Sequence, residues 1–283
     1  MDEPAQTPLL LDPAALVELG ERERWHPHEL DLSGDAASWA GVPRGLQERL
    51  LWHIEMFFVG EERVTTELGA LIRASESPAE AEFLAMQQLD EARHTEHFDR
   101  FYRDVAGQPG GLREHVAVAR ERLAPPLVAL LETRLSAAAE RLARAPRDPV
   151  AKVEFVTIYH MVIEGTLALT GQRLLLDVLE ERDLLPGWRE GLRRIARDEH
   201  RHIAYGAWLL REKAADPALR ERICALLDEL APLVADVLVP PGARPERFAP
   251  LGRSGVELRG FAFAALERRM RVIGVRSPVT LGG

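Results

Sequence analysis

Two nearly identical pentapeptides, Asp-Glu-Ala-Arg-His at 90–94 and Asp-Glu-His-Arg-His at 198–202, hold the residue types that bind metal ions. Each contains Glu-x-x-His, and residues three apart share one face of a helix. Glu91 therefore pairs with His94, and Glu199 with His202. A lone glutamate precedes each pentapeptide at similar distance, Glu61 by 30 residues and Glu164 by 35. Two Glu-x-x-His pairs, plus one Glu from each of two further helices, form the ligand set of a dinuclear metal site in a four-helix bundle. Four carboxylates balance the charge of two divalent ions, and carboxylates can bridge them. Oxygen-rich sites with one imidazole per ion suit manganese and iron, whereas closed four-coordinate zinc sites use a different set.

Each of these glutamates falls on an apolar stripe. Glu61 lies in line with Leu50, Ile54, Phe57, Val64, Leu68 and Leu71, while Glu62 is rotated away by about 100°. Glu91 keeps company with Leu84, Gln87, Phe98 and Phe101, and Glu199 with Leu192, Ile195 and Leu209. Glu164 sits in Met161-Val162-Ile163-Glu164-Gly165. A carboxylate facing a core is costly unless it is paired or binds a metal. A third Glu-x-x-His, Glu23 to His26, lies beside Pro27 in a loop and lacks the Asp and Arg of the others. A metal-bound histidine usually donates its free N–H to a carboxylate. Asp198 is the expected acceptor for His94 and Asp90 for His202, with Arg93 and Arg201 steadying them. His97 and His200 fall off the ligand face and read as structural.

Helices must position these groups. A short helical pattern at 13–24 belongs to a Pro- and Gly-rich extension over 1–45 that wraps the main body. Periodicity of three and four residues predicts a helix from Gly45 that Ser75, Ser77 and Pro78 end, then helices at about 78–104, 114–144 with a break near Pro125-Pro126, 149–183, 188–213, 217–238 and 255–273. The tail from Ser277 reads as loose. Alternating strand patterns are missing, so the expected fold is all-α: one domain over 1–283, with a metal-binding bundle at 46–213 and added helices at 214–283.

Composition limits the alternatives. With 46% apolar and 29% charged residues, the 283-residue chain is of globular type, and its formal charge of −9 argues against nucleic acid as a general partner. Cys224 is the only cysteine, so neither an internal disulfide nor a cysteine metal site is available. Met1-Asp2-Glu3-Pro4 lacks the basic and apolar regions of a signal peptide, and no run of about 18 apolar residues suggests a membrane span. The expected location is cytoplasmic.

The series Glu61, Glu91-x-x-His94, Glu164, Glu199-x-x-His202 resembles the ribonucleotide reductase small-subunit branch of the ferritin-like superfamily. Within it, Gly60-Glu61-Glu62-Arg63-Val64-Thr65 and Tyr159-His160-Met161-Val162-Ile163-Glu164-Gly165 resemble the R2-like ligand-binding oxidases. The resemblance covers roughly residues 46–213. It implies a ferritin-like bundle holding a manganese–iron pair, with di-iron as the other option. It also implies O2 activation for a two-electron oxidation, a long-chain fatty acid bound at the metals, and an ether bond between the Tyr159 oxygen and the Val64 Cβ. Such bundles often form homodimers.

Three other readings stay open. A ribonucleotide reductase small subunit usually has its radical tyrosine seven residues after the first Glu-x-x-His glutamate. Here that position is Phe98, which one manganese–iron subclass of these subunits shares, so the tail is more telling: no aromatic residue follows Phe263 to relay a radical. A ferritin-like storage or carrier protein would use the same ligands without turnover. An oxygenase for a small diffusible substrate would too.

Overall fold

The computed structural model describes residues 10–277. The readings of the first four residues and of the chain after Ser277 fall outside this span. α1 (Pro13–Arg22) begins where the Asp12 carboxylate accepts a hydrogen bond from the Ala15 amide. Proline costs nothing in a first turn, where its missing N–H has no helical partner. The same device, a capping Ser or Asp followed by Pro, opens α4 (Pro78–Arg100), α7 (Pro149–Glu181) and α9 (Pro217–Leu238). Between them run α2 (Asp35–Ala40), α3 (Arg44–Arg73), α5 (Leu112–Glu121), α6 (residues 125–144) and α8 (Pro186–Lys213). α10 (Gly255–Ile273) closes the described chain behind a Ser254–Glu257 capping box.

Helix ends match the expectation to within a few residues, and 217–238 and 255–273 match it throughout. Winding does not match. α4 runs on through a π turn at Phe101–Val105, α6 contains one at Ala129–Leu135, and α7 is π-wound over Thr157–Ala168.

α3 and α4 pack as one hairpin and α7 and α8 as another, each joined by a four-residue connection. α8 lies against α4, which brings the hairpins together. Two glycines set how closely α8 approaches its neighbours, Gly191 against α4 and Gly206 against α7. A Cβ on Gly191 would lie 2.2 Å from the His97 ring, and one on Gly206 would lie 2.4 Å from the His160 Cβ. Residues 10–40 wrap the α4–α8 side, and Asp35 takes hydrogen bonds from the amides of Gly187 and Trp188 at the start of α8. The buried apolar cluster runs from Leu16 to Met270 and Ile273, so extension and C-terminal helix share the core of the bundle.

α7 corrects one expectation. It does contain an 18-residue window apolar enough to cross a membrane, with mean hydropathy 1.2, and 83% of that window is buried inside the bundle. The run that reads as a span by composition is the central core helix.

Candidate metal centre

Four helices deliver the six expected side chains to one place. α3 carries Glu61, α4 Glu91 and His94, α7 Glu164, and α8 Glu199 and His202. None of the six is more than 5% exposed. Their ligand atoms form two clusters, each within 4.8 Å across: Glu61, Glu91, His94 and Glu199 in one, Glu91, Glu164 and His202 in the other. Glu91 belongs to both and is placed to bridge. His94 Nδ1 lies 3.2 Å from Glu91 and 3.4 Å from Glu61, and His202 Nδ1 lies 3.1 Å from Glu91 and 3.7 Å from Glu164.

The electrostatics call for cations. Burial pushes the carboxyls of Glu61, Glu164 and Glu199 above their ordinary range, and neighbouring carboxylates add to the effect. Burial acts on Glu91 too, but His202 and His94 outweigh it and hold that carboxyl low. Both imidazoles are desolvated, yet the surrounding carboxylates drive them well above the usual histidine range. Glu91, Glu164 and Glu199 each keep one buried oxygen without a hydrogen-bond donor. Buried polar atoms are rarely left so, and two divalent ions would satisfy all three. The donor set fits a dinuclear site of the manganese and iron class.

Of the outer partners, Asp198 is within hydrogen-bond reach of His94, while Asp90 lies near His202 without closing that bond. His94 Nε2 is 3.2 Å from Asp198 Oδ2, and His202 Nε2 is 3.5 Å from Asp90 Oδ2. Arg93 donates to Asp90 at 2.6 Å, and Arg201 to Asp198 at 2.7 Å and to Asp90 at 3.3 Å. His97 stacks on Trp188, and His200 bonds the carbonyl one turn before it, so both are structural. Glu23 binds Arg201 rather than His26; His26 lies with His28 and Glu96 on the surface.

Sequence reasoning missed three participants. Trp25 donates its indole N–H to the same Asp198 oxygen at 2.7 Å. The sequence shows only an aromatic in a loop, 173 residues away. Gln87 donates to both Tyr159 Oη (3.2 Å) and Glu164 (3.1 Å). In the sequence it reads only as a neighbour of Glu91 on the α4 stripe. His53 is the third: it lines the cavity that opens from the centre.

Tyr159 is fully buried and donates to Glu91 at 2.9 Å. Its place relative to Glu164 follows from the winding of α7. Five residues of α-helix would set Tyr159 and Glu164 about 140° apart. π winding, at roughly 4.4 residues per turn, closes that to about 50°. Both side chains therefore reach the centre from one helix. Val64 is 3% exposed and lines the cavity one turn beyond Glu61. That cavity runs out between α3 and α7 over Phe57, Leu131, Ile163 and Leu174, with Glu61, Glu91, Glu164 and Glu199 at its inner end.

Residues 14–237 match the sequence profile of the family described as ribonucleotide reductase, small chain. The chain is also similar to solved structures of R2-like ligand-binding oxidase. One, with aerobically reconstituted Mn/Fe cofactor after a long soak, is 25% identical over 92% of each chain, with a TM-score of 0.77. A tyrosine-to-phenylalanine variant and a glutamate-to-aspartate variant, each with aerobically reconstituted Mn/Fe cofactor, are 24% identical over 93% of each chain, with TM-scores of 0.78. The shared fold is all-α and ferritin-like.

Proposed function

The chain belongs to the ribonucleotide reductase small-chain family, and from that premise we propose that it is a manganese–iron oxidase that activates O2 beside a bound long-chain carboxylic acid. The observation that supports this most is two carboxylate–histidine clusters sharing Glu91 at the blind end of an apolar cavity. Storage needs no such cavity; at Phe98, where most radical-relaying subunits carry a tyrosine and one manganese–iron subclass carries phenylalanine, the ring packs among Phe57, Phe58 and Trp188. A core shared from Leu16 to Ile273 supports treating the chain as one domain.

In this reading Glu61, Glu91, His94 and Glu199 would hold one ion, and Glu91, Glu164 and His202 would hold the other. The pair supplies the oxidising power that O2 chemistry requires. Asp198 and Asp90 keep the proton on the outer nitrogen of each imidazole, so that Nδ1 is free to ligate. Glu91 holds the Tyr159 hydroxyl close to the centre and can accept its proton. Val64 offers a tertiary C–H on the cavity wall. Removing one hydrogen from each and joining Tyr159 oxygen to Val64 Cβ is a two-electron oxidation with O2 as acceptor. The apolar wall keeps water away from the reacting groups.

The test is peptide mass spectrometry of metal-free protein given Mn(II), Fe(II) and air. The expected product joins the peptides of Val64 and Tyr159 with loss of two hydrogens. Separate, unmodified peptides from fully metal-loaded protein would overturn the oxidase reading.

A further inference from the structure

Beyond the metal end the cavity wall is apolar apart from His53, Thr170 and the indole of Trp52, and the first two bring hydrogen-bond acceptors to it. His53, on α3, is 4% exposed. Its Nδ1 meets the Arg49 carbonyl at 2.7 Å. A carbonyl only accepts, so Nδ1 carries the proton and Nε2 presents a lone pair. Thr170, on α7, is likewise buried, and its hydroxyl donates to the Thr166 carbonyl at 2.5 Å. Its proton is therefore spent as well. Both residues line the cavity.

Their depth is set by the helices. His53 stands eight residues before Glu61, roughly 12 Å along α3 at the α-helical rise. Phe57 and Gly60 line the stretch between them. Where Phe57 lies against Gly171 the two helices run past each other, which puts Thr170 on the facing wall. A plain alkyl chain crossing this region would strip water from two acceptors and return no hydrogen bond, which is the costly side of burying polar groups. A ligand carrying a donor at that depth satisfies them.

We propose that His53, supported by Thr170, selects a long-chain carboxylic acid bearing a hydroxyl group in mid-chain, with its carboxylate at the metal end. The inference rests on the ligand-binding reading above and adds the ligand's chemical class and the residue that reads it. His53 is a specificity residue, remote from the reacting atoms.

The experiment is calorimetric titration of metal-loaded, delipidated protein with stearate and with hydroxystearates whose hydroxyl is moved along the chain. The expected result is about five- to tenfold tighter binding of the mid-chain isomers than of stearate, the size of one net hydrogen bond. Isomers hydroxylated near either end should show no gain. His53→Leu should erase the preference. His53→Gln, which restores an acceptor, should bring part of it back, separating recognition from a general effect on folding. Equal affinity for stearate and every isomer, or a preference that survives His53→Leu, would overturn the assignment while leaving the oxidase reading intact. Failure of all these acids to bind would sink the ligand-binding reading itself.

Discussion

Trp25 and Asp198 are joined by a 2.7 Å hydrogen bond from the indole nitrogen to a carboxylate oxygen that His94 also reaches. The extension thus ties directly into the groups that orient a metal-facing histidine. Burial by itself would raise Asp198, but His94, Arg201 and Trp25 hold its carboxyl well below the usual range. It is an anion at any working pH and a firm acceptor.

Trp25→Phe keeps the ring and removes the donor. The expected loss is about 1–3 kcal/mol of stability, because a buried carboxylate oxygen forfeits a partner, and about 10–100-fold in metal affinity through a less well held His94. Urea unfolding and competitive metal titration check the two effects. Unchanged metal affinity would show that His94 does not need this support.

Glu199→Gln separates the cost of the metal-free site from its use. Burial and the nearby Glu91 disfavour the Glu199 carboxylate when no cation is present. The metal-free variant should therefore melt higher than the metal-free parent, by about 1 kcal/mol or more. The stabilisation that metals add should fall, along with metal content after dialysis. Parent-like metal content would remove Glu199 from the ligand set.

Acid stability should report His53. Burial lowers its pKa from 6.5 to about 4 despite the Arg49 carbonyl. The unfolded chain thus takes up a proton on this ring between pH 6.5 and 4 that the folded chain refuses. Its contribution is fully present above pH 6.5 and is lost as the pH falls toward 4, on the order of 3 kcal/mol in all. Denaturation of metal-free parent and His53→Gln across that window should show the parent losing more. Parallel profiles would mean that the ring is not kept neutral.

Gly171→Ala probes the cavity wall. Its new Cβ would stand 2.7 Å from Phe57 Cζ, so the ring must move off α7 into the open space. Overpacking of this kind costs about 1–3 kcal/mol. Thermal unfolding should register that cost, and stearate affinity should drop with it. Full affinity would place the bound chain away from Phe57.

Much of this centre was legible in the sequence because helices repeat. Glu91 with His94, and Glu199 with His202, needed only a period of 3.6 residues, and the same period put Glu61 on a core stripe. A buried carboxylate demands a partner, and repetition of the pattern named the partner as metal. The outer pairing of Asp198 with His94 and Asp90 with His202 followed from the two pentapeptides crossing as equals.

Three things were decided only in the tertiary structure. Trp25 meets Asp198 because the extension folds back over α4 and α8, a contact between distant residues with no local pattern to mark it. Tyr159 and Glu164 share a face because α7 is π-wound there, and i→i+5 bonding leaves no reliable trace in an unbroken apolar run. The acceptor character of His53 depends on which ring nitrogen finds a carbonyl and which finds open space. Periodicity decides the face on which a residue stands; only packing decides what stands opposite it.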